Sequence, residues 1–490
     1  MQLAPHTSAL CFFSLPLSRR WGARLFAALC GLLALSAGAQ NLPSSVEAAL
    51  ARAKLPTSAL SMLVVETQGT ATPRLAFRAT QPMNPASVMK LVTTYAALDQ
   101  LGPSFSWKTP VYVDGTIAGG VLSGNLYIKG LGDPKLVAER LWLLLRRVQA
   151  LGIHSIRGDI VLDRSAFEVP PANPADFDGE PLRPYNAAPD ALLLNFKAVV
   201  MGFSPNAAAN NASIAYDLPL AGVHMQAHVP LGTGECGDWR TGLKADFSDP
   251  LRLRFAGSYP SSCGERMWPL AYAEPPAYAA RALEGLWRSL NAGTAEALSG
   301  SVREGRVPAK LKPVFEVASP SLAEVVRDIN KYSNNVMAQQ VFLTLSLQAK
   351  GLGSFEASRE LVRTWWRNNF GEADMPVLDN GSGLSRNERI SAQGLARLLQ
   401  LAWASPLMPE LMASLPIAGV DGTLKRSKAG AAAGAAHLKT GSLSNVAAIA
   451  GYVDGASGKR YVLVAIANHA NATAARPAFD ALLDWAAKDQ

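Results

Sequence analysis

The sequence predicts a multidomain α/β (α+β) protein in which one sheet draws strands from both ends of the chain and a β-rich body is inserted between them. Three observations point there. The chain has 490 residues, more than one ordinary domain uses. Strand-like apolar runs with helical neighbours occur near both ends. Between them, short alternating segments separated by glycine turns take over. Hydrophobic residues make up 49% and charged residues 17%, the balance of a folded chain with a sizeable core.

Residues 1–39 read as an export leader (signal peptide). Arg19, Arg20 and Arg24 form its positive region, Leu25 to Leu35 its apolar core, and Ala37-Gly38-Ala39 a small-x-small cleavage site that leaves Gln40 first. Ser18-Arg19-Arg20 opens like a twin-arginine signal, but Trp21-Gly22-Ala23 continues the match poorly, so the general export route is expected. A retained membrane anchor is the alternative, and the short apolar core argues against it.

Ser45 to Ala53 reads as a short helix, and Ser61 to Glu66 and Arg74 to Ala79 as two strands joined near Gln68-Gly69. Asn84 suits a helix N-cap and Pro85 the first helical position, with the helix running to about Gln100 before Gly102-Pro103 stops it. From Phe105 to Tyr127 the pattern turns β-rich. Trp142 to Ala150 is helical, Asp159 to Asp163 a strand, and Pro170 to Pro184 a proline-rich loop. Strand-like pieces follow at Ser213 to Tyr216, His224 to Val229 and Leu251 to Ala256, and Ala279 to Asn291 returns to helix. Ser321-Leu322-Ala323-Glu324 has capping-box spacing and opens another helix. Asn335 to Gln348, Ser354 to Asn369 and Ser391 to Trp403 continue the helical pattern. Three strands, His437 to Gly441, Val446 to Val453 and Tyr461 to Asn468, precede a terminal helix at Arg476 to Lys488.

The formal charge is +8, of which the leader supplies three arginines and no acids, so the mature chain carries 8 − 3 = +5. That mild excess is compatible with peripheral contact with an anionic membrane surface or a carboxylate-bearing polymer, and it does not imply nucleic acid. Cys11 and Cys30 leave with the leader. Only Cys236 and Cys263 remain, so one intramolecular disulfide is available in an oxidising compartment, two buried free thiols being the alternative. Two cysteines and scattered histidines give no metal-ligand spacing, and no cofactor is implied.

Three short motifs carry chemistry. In Ser87-Val88-Met89-Lys90, residues three apart share one helix face, so Lys90 can reach the Ser87 hydroxyl and accept its proton when neutral. Ser87 falls in the first turn, where free backbone N–H groups favour developing negative charge. Ser333-Asn334-Asn335 lies in a turn between helices. Its hydroxyl can relay a proton, and the Asn335 amide can donate and accept. In Lys439-Thr440-Gly441, on a strand, Lys439 and Gly441 share a face. The lysine and threonine suit a carboxylate, and the glycine admits a substrate backbone. Taken singly, each motif is explained by an amphipathic helix, a helix cap or a strand end. Their joint occurrence, in order and behind a leader, is the signal.

Together these motifs resemble the set found in serine β-lactamases and penicillin-binding proteins, with Asn334 at the middle position that is usually Asp. From Lys90 to Ser333 is 333 − 90 = 243 positions, far more than a compact β-lactamase needs. The chain resembles the penicillin-binding protein 4 type of D-alanyl-D-alanine carboxypeptidase and endopeptidase, the DacB family. Gly130 to Pro134, Gly158 to Asp163, Pro184 to Ala187, Asp379 to Ser385 and Leu415 to Leu424 carry the likeness along nearly the whole mature chain. The resemblance implies an exported, periplasmic enzyme with a split transpeptidase/β-lactamase-like domain, its antiparallel sheet flanked by helices. Residues 40–103 and 285–490 would form that domain, and 104–284 two nested, inserted β-rich domains.

The expected reaction acylates Ser87 with a peptidoglycan stem peptide ending in D-Ala-D-Ala, or with a β-lactam antibiotic. Lys90 is the base, although sequence alone leaves open which lysine works. Ser333 and Lys439 pass a proton to the leaving amine, Asn335 holds the substrate amide, and Thr440 with Lys439 holds the terminal carboxylate. Backbone N–H groups of Ser87 and Ser442 form the oxyanion hole. Asp379 to Ser385 should border the cleft, and His437, which shares the Lys439 face, should line it without doing chemistry. A β-lactamase or related esterase and a non-catalytic peptidoglycan-binding scaffold are the rival readings. No Gly-x-Ser-x-Gly elbow supports a Ser-His-Asp hydrolase.

Overall fold

A computed structural model describes residues 41–69 and 72–489, and from Leu42 onward the chain clusters as one compact unit. The expected leader lies outside the described residues. Among those described, no helix is long and apolar enough to cross a membrane.

The two ends of the chain do share a sheet. Its five strands run in the order Ala436–Leu443, Val446–Asp454, Arg460–Asn468, Leu60–Glu66, Leu75–Phe77, every neighbouring pair antiparallel. The central strands are buried over all but their end residues instead of alternating, because both faces are covered. Leu63 and Val65 enter one core with Val92, Tyr95, Ile329 and Phe342 from the helices beside the motifs. Leu60, Met62 and Val64 face a second core under Ser44–Ala53 and Arg476–Ala487, against Leu50, Phe479 and Leu483. The terminal helix thus spends its apolar face on the sheet, the more economical use of a buried stripe.

The middle of the chain holds its own sheets around a third core. One has the order Val302–Glu304, Ile160–Asp163, Leu126–Lys129, Ser106–Val113, Phe315–Ser321. Another has Tyr259–Pro260, His228–Gly232, Asn211–Tyr216, Ala198–Asn206, Arg266–Ala271, and two three-stranded sheets flank them. Two strands of the first of these lie beyond residue 284, so hydrogen bonding continues into this body as far as Ser321.

Cys236 and Cys263 are disulfide-bonded, 27 residues apart, with Cys263 sunk in the third core. A loop of that length contributes about 3–4 kcal/mol in the chain-entropy view. A Cys236→Ser/Cys263→Ser variant should therefore unfold at a visibly lower temperature by calorimetry, with hydrolysis at 25 °C retained; an unchanged Tm would show that the bridge does not constrain folding.

Capping explains most helix starts. Ser321 and Glu324 form the reciprocal capping box ahead of Leu322–Tyr332. Ser354 and Ser391 each cap the helix that follows. The helix after Asn84 departs from expectation. It opens as a 3₁₀ turn, Ala86–Met89, before the α-helix Lys90–Leu101, and the Asn84 side chain accepts the Ala86 N–H at 2.8 Å inside a tight turn instead of capping an α-helix.

Candidate active site

Asn84 anchors the turn that carries Ser87. Its backbone N–H donates to Asn468 Oδ1 and its carbonyl accepts from Asn468 Nδ2, both at 2.9 Å, which ties the turn to the end of a central strand. Its side-chain amide donates to the Ser385 carbonyl at 2.9 Å. Ala86 sits at φ +46°, a conformation ordinary side chains avoid, in the residue before the serine. Two glycines allow other strands of chain to approach. A side chain at Gly441 would run into the Pro85 carbonyl, and one at Gly383, itself at φ +79°, into that of Ala86.

Lys90 lies one turn on, fully buried. Its Nζ is 2.9 Å from Ser87 Oγ and 2.6 Å from Asn335 Oδ1, and it also donates to the Ser382 carbonyl. The Asn335 amide is oriented from its other end, where Nδ2 donates to the Tyr185 carbonyl at 3.1 Å. Burial pushes the Lys90 amine down to about 7, against the pull of the Glu388 carboxylate, which raises it. A neutral amine has two N–H groups and one lone pair. Asn335 Oδ1 and the Ser382 carbonyl only accept, so they take the two N–H groups and the lone pair is left for the Ser87 hydroxyl.

Ser333 terminates the helix Leu322–Tyr332 in a left-handed conformation, φ 58°. Asn334 caps the next helix, Asn335–Lys350, by accepting the Met337 N–H at 3.1 Å. The left-handed residue and the cap reverse the chain between two helices, so that Ser333 and Asn335 both face the nucleophile. Ser333 Oγ accepts from Lys439 Nζ at 2.9 Å, and the same amine donates to the Thr440 carbonyl at 2.7 Å. Lys439 is fully buried, and desolvation, followed by repulsion from Lys90, holds its amine well below the usual lysine range. The Thr440 hydroxyl meets that of Thr423 at 2.7 Å.

Every sequence-predicted chemical residue is brought to one place. A cavity of about 400 Å³ is lined by Ser87, Ser333, Arg426, Thr440, Gly441 and Ser442, among others. His437, two residues before Lys439, is not among the residues lining that cavity, and Ser87 has a lysine, not a histidine, at hydrogen-bond distance. Sequence reasoning missed four contributors: the carbonyls of Ser382 and Tyr185, the Thr423 hydroxyl and the buried Glu388. The first three were signalled only by the family-like segments around them, and nothing marked Glu388.

The arrangement can move a proton from a hydroxyl to a neighbouring amine, present a second proton from the Ser333–Lys439 pair, and offer cationic and hydroxyl groups to an anion. Comparison with known proteins agrees with that chemistry. Residues 42–489 match the model of the D-Ala-D-Ala carboxypeptidase 3 (S13) family. A D-alanyl-D-alanine carboxypeptidase of Actinomadura sp. (strain R39) is 31% identical over 392 residues, covering 76% of this chain and 71% of the relative. The D-alanyl-D-alanine carboxypeptidase DacB of Haemophilus influenzae is 25% identical over 395 residues, 78% of this chain and 80% of the relative. The crystal structure of penicillin binding protein 4 (dacB) from Haemophilus influenzae superposes with a TM-score of 0.71 at 22% identity, over 90% of this chain and 98% of that one, a likeness of fold.

Proposed function

The chain belongs to the D-Ala-D-Ala carboxypeptidase 3 (S13) family, and from that premise we propose how its own residues perform the reaction. It is a serine D-alanyl-D-alanine carboxypeptidase that binds penicillins. The observation that carries the assignment of roles is the Lys90 amine, 2.9 Å from Ser87 Oγ with its remaining valences directed at obligate acceptors.

Neutral Lys90 takes the Ser87 proton as Oγ attacks the carbonyl carbon of the penultimate D-alanine. The oxyanion that forms is held by the backbone N–H groups of Ser87 and Ser442, each such donor being worth about 3 kcal/mol in transition states of this type. The C–N bond then breaks. The leaving amine receives a proton through Ser333, supplied from Lys439, and departs as D-alanine while Ser87 keeps the acyl group. Asn335 holds the substrate amide, and Thr440 with Lys439 holds the terminal carboxylate. The proton that Lys90 took from Ser87 then replaces the one Lys439 gave up, and Lys90, neutral again, accepts a proton from water as the water oxygen attacks the ester carbonyl and returns it to Ser87 Oγ as the acyl–oxygen bond breaks. The substrate lies outside the cytoplasm, so we place the mature chain in the periplasm, exported by the leader read in residues 1–39; N-terminal sequencing of the mature protein should then find Gln40 first.

The test is covalent. Intact-mass spectrometry after benzylpenicillin treatment should show one adduct per chain, and peptide mapping should put it on Ser87. Label elsewhere, or none, rejects the assignment, and fast penicillin turnover without D-alanine release selects the β-lactamase reading instead.

A further inference from the structure

One of the three hydrogen-bond partners of Lys90 comes from outside the motifs. The Ser382 carbonyl belongs to a turn, 379–383, whose shape is set by its own side chains: Asn380 Oδ1 accepts the Ser382 N–H at 3.0 Å and its hydroxyl at 2.7 Å. Thr93, on the nucleophile helix, donates to the Gly381 carbonyl at 2.6 Å. Beneath the turn lies Glu388, fully buried. Its Oε1 gathers the backbone N–H groups of Asp379 and Asn380, each at 3.2 Å, and of Gly381 at 2.9 Å. Its Oε2 is buried with no hydrogen-bond partner among the described residues. An amide oxygen could accept the same three N–H groups, more weakly than a carboxylate does. Charge is what glutamate adds, and a buried charge is costly to keep without a use.

We propose that Glu388 is a positioning residue for the acylation of Ser87: its carboxylate ties down the turn that presents the Ser382 carbonyl to Lys90, and its charge sets how readily Lys90 gives up its proton. The inference rests on the catalytic reading given above. The groups that face the Lys90 amine are Ser87 from its own helix, Asn335 from the neighbouring helix, the Ser382 carbonyl, the Glu388 carboxyl group, and the Lys439 amine from the strand. The Glu388 carboxylate raises the Lys90 amine, against the burial that lowers it. Burial pushes Glu388 itself up to about 7, with the Asp379 carboxylate adding to the rise and the turn's N–H groups and Lys90 resisting it. Lys90 and Glu388 therefore titrate in one pH range, and the acid limb of activity belongs to the pair.

Two variants separate the contributions. Glu388→Gln keeps an oxygen for the three N–H groups and removes the charge. Its plateau kcat should stay within about threefold of wild type, and the acid limb of kcat/KM should move to lower pH by roughly half a unit to one unit, because the neutral amine persists further into acid. Glu388→Ala releases the turn as well. Its kcat should fall by about 10²-fold with KM little changed, the usual result of a misplaced reacting group, and Glu388→Gln should restore it. An acid limb left in place by Glu388→Gln overturns the electrostatic part. A fully active Glu388→Ala overturns the positioning part. If Glu388→Ala does not fold, the limb of Glu388→Gln still decides. Penicillin labelling of Ser87 in the wild type, read separately, tells failure of this inference from failure of the catalytic assignment.

Discussion

Ser87→Ala lowers kcat/KM on a D-Ala-D-Ala pentapeptide by about 10⁴-fold or more and abolishes the penicillin adduct. Losses of that size follow when the nucleophile of a mutually dependent catalytic set is removed. The variant should fold as the wild type does. Ser87 is only partly buried and lines a cavity, and its loss leaves Lys90 with Asn335 and the Ser382 carbonyl as acceptors, so no buried donor is stranded. A stability change within about 0.5 kcal/mol is expected. Calorimetry beside the kinetic assay checks both statements. Residual activity within tenfold of wild type would move the nucleophile elsewhere.

The second large effect is that of Lys90→Met, a similar volume without the amine. Loss of a general base typically costs 10²–10⁴-fold, and the upper end applies here because no other base lies within hydrogen-bond distance of Ser87 among the described residues. The wild-type pH profile carries the same assignment. With Lys90 and Glu388 both near 7, kcat/KM should fall as the pH drops below that range, a limb that belongs to the pair, and level off above it. Stability moves in a linked way. The folded amine loses its proton near 7, whereas the unfolded one keeps it to about 10.5, so between these values the unfolded chain binds more protons. Stability from this group is therefore lowest at and below pH 7 and rises towards 10.5. Lys90→Met lacks that dependence. The wild type should gain Tm relative to the variant as pH is raised from 7 to 10, against the penalty the variant suffers at every pH from the unpaired Asn335 Oδ1 and Ser382 carbonyl. A constant difference in Tm would show that Lys90 keeps an ordinary lysine proton in the fold.

The chemistry was legible because it resides in residue types at short spacing. Ser87 with Lys90, Ser333 with Asn335, and Lys439 to Gly441 are patterns that survive without coordinates. The split sheet was legible too: its central strands are continuous apolar runs, and runs of that kind at both chain ends need a shared interior. Less visible was whatever depends on backbone atoms. The Ser382 and Tyr185 carbonyls hold Lys90 and Asn335, and a carbonyl has no residue signature. The left-handed backbone at Ala86 and Ser333 was likewise hidden, since tertiary contacts impose it on residues that do not favour it. The inserted body was expected to span 104–284, and strands beyond 284 hydrogen-bond back into its sheet.

The order of strands in the shared sheet sets a sequence of events for a chain made from its amino end. Leu60–Glu66 has Leu75–Phe77 on one side from the start, but its other edge stays unpaired until Arg460–Asn468 has been synthesised. Lys439 arrives in the same late stretch. The middle of the chain can condense around its own core beforehand, as bodies of this kind do during synthesis. The nucleophile, made in the first fifth of the polypeptide, thus waits unarmed until the last tenth is in place, and a nascent or prematurely terminated copy holds no working hydrolase.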